Sequence, residues 1–547
     1  MNQQAPRAFD VIVVGAGFSG LYLLYRLRKM GFRTVVLEAG SDVGGTWYWN
    51  RYPGARCDVE SMEYSYGFDK QLEQEWNWTE RYPAQPEILS YLQHVADRFD
   101  LRRDIHFHTR VKSARWQEET GTWKVRTESG DTLQAAFCIM ATGCLSTPRL
   151  PPFKGIESFQ GKWYHTAQWP KEGVDFTGQR VGVIGTGSTG IQAIPKIAEQ
   201  ASQLFVFQRT PNFSIPAHNG PIDQSFQRSL KARYPEHRAA ARASFFGVPV
   251  EMTADSALAT PPEERQKRFE AAWQYGGATR TLQAFADLLV TEEANATAAD
   301  FVRGKIREIV KDPAVADLLC PTDHPIGTKR ICVDTHYYAT YNRPNVTLVD
   351  VRKAPIVEIT PKGLHTEAGD YELDSLVFAT GFDAMTGALL GIEIEGRDGL
   401  TLQDKWSSGP SAYLGLASAG FPNLFMMTGP GSPSVLSNMV VSIEQHVEWV
   451  TDAMAYLREH GLKSIEADAA AETDWMRHVT EVADTTLFPK ANSWYVGANI
   501  PGKPRMFMPY VGGVGPYRDH CQGIADRGYE GFVLEPDGPQ GKVQRAV

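Results

Sequence analysis

Paired cysteines are the plainest thing this sequence lacks. Its 547 residues hold six, Cys57, Cys138, Cys144, Cys320, Cys332 and Cys521, scattered and with no CxxC. That scatter argues against a zinc site, a disulfide framework and a dithiol redox centre, and leaves buried, reduced thiols acting as small hydrophobes. No metal site is expected. Apolar runs stop short of the roughly 20 residues that span a bilayer. The segment Met1 to Asp10 is polar and leads straight into a strand, without the charged-then-apolar design of a signal peptide. A cytoplasmic protein is expected, with no membrane partner. A basic surplus is missing too: 55 Lys and Arg against 64 Asp and Glu give −9, which disfavours general attraction to nucleic acid. What remains is ordinary, 42% apolar and 22% charged, and at about 150 residues per domain the length allows three or four domains.

Two segments stand out. Residues 9–40 run from an apolar strand into Gly15, Gly17 and Gly20, then a helical stretch, then a second strand, Thr34 to Leu37, ending in Glu38. In GxGxxG the first glycine permits the tight turn, the second lets a pyrophosphate approach the backbone, and the third lets helix pack on strand. A carboxylate at the end of the second strand accepts hydrogen bonds from ribose hydroxyls. The pattern recurs at Gly185, Gly187 and Gly190, whose second strand, Leu204 to Phe207, is followed by Gln208, Arg209 and Thr210. Arg209 occupies the place of Glu38, where a guanidinium would pair with a 2′-phosphate; a surface salt bridge is the plainer alternative. Arg209 is the main reason to expect NADPH over NADH.

Each unit also holds an Ala-Thr-Gly, at 141–143 and 379–381, where an apolar strand meets a turn. Together the repeats predict an α/β fold with two dinucleotide-binding, Rossmann-like domains, one for FAD and one for the pyridine nucleotide that reduces it. The first unit is the better FAD candidate, because the aromatic segment Gly44 to Trp49 follows Glu38 closely and a flat isoalloxazine needs such cover. Residues of about 220–325 are charged, alanine-rich and helix-prone, a helical insertion that either caps a substrate cavity or covers the sheet; partial capping is favoured. The expected domains are 1–145 with 385–547 for FAD, 146–220 with 326–384 for NADP, and 221–325 for the insertion.

Between the units stands Phe159-Gln-Gly161-Lys-Trp-Tyr-His165-Thr-Ala-Gln-Trp169-Pro170, which matches FxGxxxHxxxWP. This chain therefore resembles the Baeyer–Villiger monooxygenases, and the resemblance extends through Gly45 to Asp58, Glu75 to Arg81, Gly327 to Arg330, Gly429 to Pro433 and Ser493 to Lys503. The resemblance implies an enzyme that uses FAD, NADPH and O₂ to turn a ketone into an ester or lactone through a C4a-peroxyflavin. It implies Arg330 and Asp58 as catalytic residues, a permanent cation suiting a peroxyanion better than a lysine that can lose its proton. Its implied FAD contacts are Gly15, Gly17, Ser19, Gly20, Glu38, Thr46, Trp47, Trp49, Asp58, Tyr64, Val111 and Met439. Its implied NADP contacts are Arg56, Gly185, Thr186, Gly187, Ser188, Thr189, Gly190, Arg209, Thr210, Lys329 and Trp494. His165 is assigned to coupling domain movement to turnover, not to proton transfer.

Cys144, His336 and Val435 depart from what the resemblance leads one to expect, and so leave cavity shape open. The ketone, the selectivity and the choice between monomer and small homo-oligomer stay open as well. Rival functions are a flavin-dependent heteroatom oxygenase or N-hydroxylase, an NADPH oxidase or disulfide reductase, and a redox sensor that merely holds both nucleotides. Sulfide oxidation is expected as a side activity of the Baeyer–Villiger reading, since a neutral hydroperoxide is electrophilic.

Overall fold

Val, Ile and Leu fill the strands that open each unit, and an apolar run with no polar alternation has to be covered on both faces. In the computed structural model, which describes residues 7–537 and 544–545, those runs are central strands of two sheets. The first sheet is built on β1 (Arg7–Val14), helix α1 (Phe18–Lys29), β2 (Thr34–Leu37) and β3 (Thr132–Met140). β1 lies between β2 and β3, parallel to both, with Ile105–His106 beyond β2. An antiparallel pair, Val111–Gln117 and Thr122–Thr127, extends the other edge. Chain from beyond residue 385 returns to this sheet. Glu393–Glu395 pairs with Val111–Gln117, and Leu424–Met426 pairs with β3. Helix α3 (Met439–Glu459) buries Val447, Val450 and Ala453 in one core with Leu21 and Leu24 of α1.

The second sheet repeats the plan with five parallel strands. These are β4 (Lys162–His165), β5 (Arg180–Ile184), β6 (Gln203–Gln208), β7 (Val346–Asp350) and β8 (Ser375–Phe378), in spatial order β7-β6-β5-β8-β4. Helix α2 (Ser188–Ala198) follows β5 as α1 follows β1. The stretch between β6 and β7 is helical, including Gln224–Lys231, Tyr234–Ala243, Pro262–Tyr275 and Glu292–Ile309. Its later helices bury Phe269, Trp273, Phe301 and Ile306 in one core with Val183, Ile191 and Val206 of the second unit. Its first two bury Leu230 and Tyr234 in the core of the first unit. Covering sheets and bridging them are therefore both done by this one insertion.

Among the described residues no helix is long and apolar enough to cross a membrane, and no cluster of three metal-ligating side chains occurs. All six cysteines are free and buried, and burial raises every one of their pKa values. None is a poised thiolate.

Candidate active site

The two glycine turns are near-copies at the atomic level. Gly15 N donates to Leu37 O at 2.9 Å, and Gly185 N to Phe207 O at 3.2 Å. A Cβ on Gly15 would lie 2.5 Å from Ala141 O, and one on Gly185 would lie 2.4 Å from Ala379 O. Each Ala-Thr-Gly therefore forms the wall against which its own glycine turn closes, which is why the two motifs occur as pairs. On the other side, Gly187 is exposed and a Cβ there would meet nothing within 4 Å. Neither α1 nor α2 has a capping side chain. Their first N–H groups are left to a pyrophosphate, so both turns fit a dinucleotide.

Beyond the turns the units differ in charge. Glu38 is buried, and its carboxylate accepts from Ala16 N at 2.7 Å and Gly40 N at 2.6 Å. Burial raises its pKa against the pull of those bonds. The short helix Thr46–Trp49 stands beside it, with Trp47 donating to the Tyr64 hydroxyl at 3.2 Å and Trp49 partly exposed. Ser19 is buried in α1, Val111 opens its strand, and Met439 opens α3. In the second unit Arg209 is exposed at the carboxyl end of β6. Thr186 Oγ1 donates to Thr210 O at 3.0 Å, joining the glycine turn to that strand end. Burial lowers the pKa of Lys329, Asp323 opposes, and the charge of Arg209 lowers it further. Burial and Arg209 also lower Arg149. Two cations, Lys329 and Arg149, therefore lie within reach of the Arg209 charge at this edge, an arrangement that suits a dianionic 2′-phosphate. Arg149 follows no motif, and sequence reading missed it.

The units meet at Arg330 and Asp58, 272 residues apart in the chain. Arg330 Nε donates to Asp58 Oδ2 and Nη2 to Oδ1, both at 2.8 Å. The third donor, Nη1, goes to the Val435 carbonyl. Burial opposes the Asp58 charge, but the Arg330 guanidinium wins and holds its carboxyl below the usual range. Arg330 in turn is raised by Asp58 despite burial. The side chains remain 30% and 23% exposed, so the pair is locked in direction yet open to a ligand. Asp58 is delivered by the 50–58 loop, which packs on α2: Tyr52 donates to Gln192 Oε1 at 2.8 Å, and Gln192 Nε2 to Arg56 O at 3.0 Å. Arg56 itself is occupied by Glu80 and the Tyr82 carbonyl. Tyr495, also unforeseen, is buried beside the pair; burial raises its pKa to about 12 while Arg330 tempers the shift.

Comparison with known proteins places the chain among flavin-dependent monooxygenases. A flavin-binding monooxygenase-like family model matches residues 8–224. A Baeyer–Villiger monooxygenase of Pseudooceanicola batsensis is 45% identical over 530 residues, 96% of each chain. The chain belongs to the Baeyer–Villiger monooxygenase family. A solved oxidised steroid monooxygenase bound to NADP shares 54% identity over 97% of this chain and 100% of its own, with a TM-score of 0.93. A solved complex of OTEMO with FAD and NADP gives 43% identity, the same coverage and a TM-score of 0.94. Like its relatives, this monooxygenase is an α/β flavoprotein that works with FAD and NADPH.

The family's fingerprint lies apart from the Arg330–Asp58 pair. His165 ends β4, is buried, and accepts from Ala167 N through Nδ1 at 3.1 Å. A backbone N–H can only donate, so Nδ1 is unprotonated and Nε2 carries the hydrogen toward Arg149 O at 3.1 Å. Burial lowers the pKa of His165, and Thr380 of the second Ala-Thr-Gly lies 3.3 Å from Nε2. Gly161 admits the Asp374 carbonyl where a Cβ would stand 2.4 Å away. The motif thus fastens the linker to the second sheet. Trp494 sits on the short helix Trp494–Val496, packed on a cluster that holds Cys144 and Val435. His336 is exposed, so it and the other two departures lie in different surroundings.

Proposed function

We propose that Arg330, aimed by Asp58, is the residue that makes this site an oxygenating one. In this proposal FAD rests on 1–145 and 385–547, NADP on 146–220 and 326–384, and residues 221–325 close over the substrate. Reduced by NADPH, the flavin supplies activated dioxygen when bound, and the substrate is a ketone, as the relatives' names suggest.

The chain's own contribution is electrostatic and geometric. A guanidinium keeps its charge when buried, whereas an ammonium on the same spot would lose its proton more readily. Asp58 fixes the plane of that guanidinium, and the Val435 carbonyl fixes its far end, so the remaining N–H groups have one direction left to point. Pre-aimed donors of this sort stabilise negative charge on an oxygen without reorganising when it develops. Glu38 and the aromatic helix Thr46–Trp49 would hold the flavin nucleotide, with Ser19, Tyr64, Val111 and Met439 around it. The exposed glycine turn at Gly187, with Ser188, Thr189 and Thr210 close by, would hold the pyrophosphate of NADP, and Arg209 and Lys329 its 2′-phosphate. Trp494 would cover the nicotinamide side. Buried, free thiols suit a reducing compartment, and the cytoplasm is proposed on that ground.

The bidentate Arg330–Asp58 pair, made between two units that each carry a dinucleotide turn, is the observation that supports this reading most. Purified enzyme supplied with FAD, NADPH and a panel of ketones tests it. Ester or lactone should form with one NADPH consumed per product; NADPH oxidation with only hydrogen peroxide released would refute it.

A further inference from the structure

The Val435 carbonyl fixes the far end of Arg330, and the loop that carries it is built under strain. Thr428 and Ser434, neither of them glycine, both stand in the left-handed region, with φ of 56° and 40°. A branched Cβ crowds the backbone there, so such a conformation lasts only where surrounding contacts outweigh its cost. Both residues are buried. Ser434 Oγ donates back to Thr428 O at 3.2 Å, closing the loop from one strained residue to the other immediately before Val435.

Thr428 itself is held by a histidine that lies outside the Arg330–Asp58 pair. His446, on α3, is wholly buried, and its Nδ1 accepts from Thr428 N at 3.0 Å. A backbone N–H can only donate, so Nδ1 is bare and Nε2 carries the ring hydrogen. Nε2 lies 3.1 Å from the hydroxyl of Tyr517, on the helix Val514–Asp526, and that hydroxyl donates to Leu414 O at 2.6 Å. Every donor in the run from Thr428 to Leu414 thus has one acceptor and one direction. Burial lowers the pKa of His446 to about 3 and raises that of Tyr517 well above the ordinary tyrosine range. Near neutral pH neither changes charge, and the run keeps a single arrangement. Other bonds tie the loop further along, Gly431 N to Met508 O and Tyr510 N to Ser432 O, both at 2.7 Å, and Asn438 N to Phe246 O at 2.8 Å. None of these sets the peptide at Thr428.

We infer that His446 is a positioning residue for Arg330: through Thr428 and Ser434 it sets the loop that aims the Val435 carbonyl at Nη1. By that route it governs how much of the reducing power of NADPH reaches the ketone and how much leaves as hydrogen peroxide. The inference rests on the role proposed above for Arg330.

The test compares the parent holoenzyme with His446→Leu and His446→Asn, each given NADPH, O₂ and a ketone that the parent converts. Ester and hydrogen peroxide are scored separately, and flavin reduction by NADPH is followed by stopped flow. His446→Leu leaves Thr428 N without an acceptor. Its ester-to-peroxide ratio should fall about tenfold or more, the loss an unpaired buried donor brings, while reduction stays parental. His446→Asn returns an acceptor near the place of Nδ1 and should recover most of the ratio. A purely structural histidine would lower reduction and ester together and leave the ratio unchanged; that result overturns the inference, as does an Asn variant no better coupled than Leu. Should His446→Leu fail to fold, Tyr517→Phe strips only the outer partner of the ring. It should lower the ratio about threefold, the worth of one ordinary hydrogen bond, and an unchanged ratio overturns the inference there too. If the parent yields no ester from any ketone, the oxygenation reading falls as well. If the parent makes ester and Arg330→Ala makes none while His446→Leu stays fully coupled, Arg330 keeps its role and only His446 loses its own.

Discussion

The two glycine turns share their backbone almost atom for atom, yet one ends on a buried anion and the other on an exposed cation, Arg209, with half-buried Lys329 and Arg149 near it. Glu38 is enclosed and bonded to two backbone N–H groups, whereas at the other sheet edge burial, and after it the charge of Arg209, lowers the pKa of both Lys329 and Arg149. The comparison separates what is generic from what is specific. Helix termini and close glycine packing accept any pyrophosphate; charge at the end of the second strand chooses which dinucleotide. In the proposed mechanism catalysis draws on neither turn but on the side chains the units exchange where they meet, Asp58 from one and Arg330 from the other.

Breaking that junction should do most. Arg330→Ala is expected to leave flavin reduction by NADPH intact while ester formation falls by about 10²–10³ or more, the loss typical of an oxyanion donor; stopped-flow reduction and product yield check it. Neutralising the anion comes next. Glu38→Gln should weaken FAD retention about thirtyfold, as expected when a charged hydrogen-bond acceptor is removed, measured by flavin fluorescence on dilution. Arg209→Ala should narrow the kcat/KM preference for NADPH over NADH by about tenfold, because Lys329 and Arg149 remain; an unchanged ratio would place the 2′-phosphate elsewhere. The smallest effect concerns pH. With its pKa lowered by burial and by Arg209, Lys329 loses its charge at lower pH than an ordinary lysine. NADPH KM should therefore rise about two- to fivefold as pH climbs through that range. Lys329→Arg, which stays charged, should remove the rise.

How far the sequence carried depends on how local each signal is. The strand, glycine, helix, strand and acid of the first unit sit within 9–40, and every rule that reads them acts over a few residues, so both turns were legible. The pairing of each Ala-Thr-Gly with its own glycine turn was legible as co-occurrence only; the contact of Gly15 with Ala141 needed coordinates. Arg330 and Asp58 were reachable through resemblance alone, since nothing in spacing joins residues 272 apart. Arg149 and Tyr495 belong to no motif and are functional candidates only because tertiary packing sets one near Arg209 and the other beside Arg330. His165 shows the reverse. Its motif named the family, yet its ring is spent on two backbone groups, which fits a linker that fastens domains and leaves no lone pair for proton transfer.

The central claim is that a guanidinium held along three directions, and not positive charge alone, makes the site oxygenate. Arg330→Lys tests it most directly, with flavin reduction and ester yield followed in one preparation. A lysine offers a single ammonium and cannot hold both Asp58 oxygens and the Val435 carbonyl in one plane, whatever its protonation. The account predicts near-parental reduction by NADPH with ester yield cut at least tenfold; ester at parental levels from Arg330→Lys would contradict it.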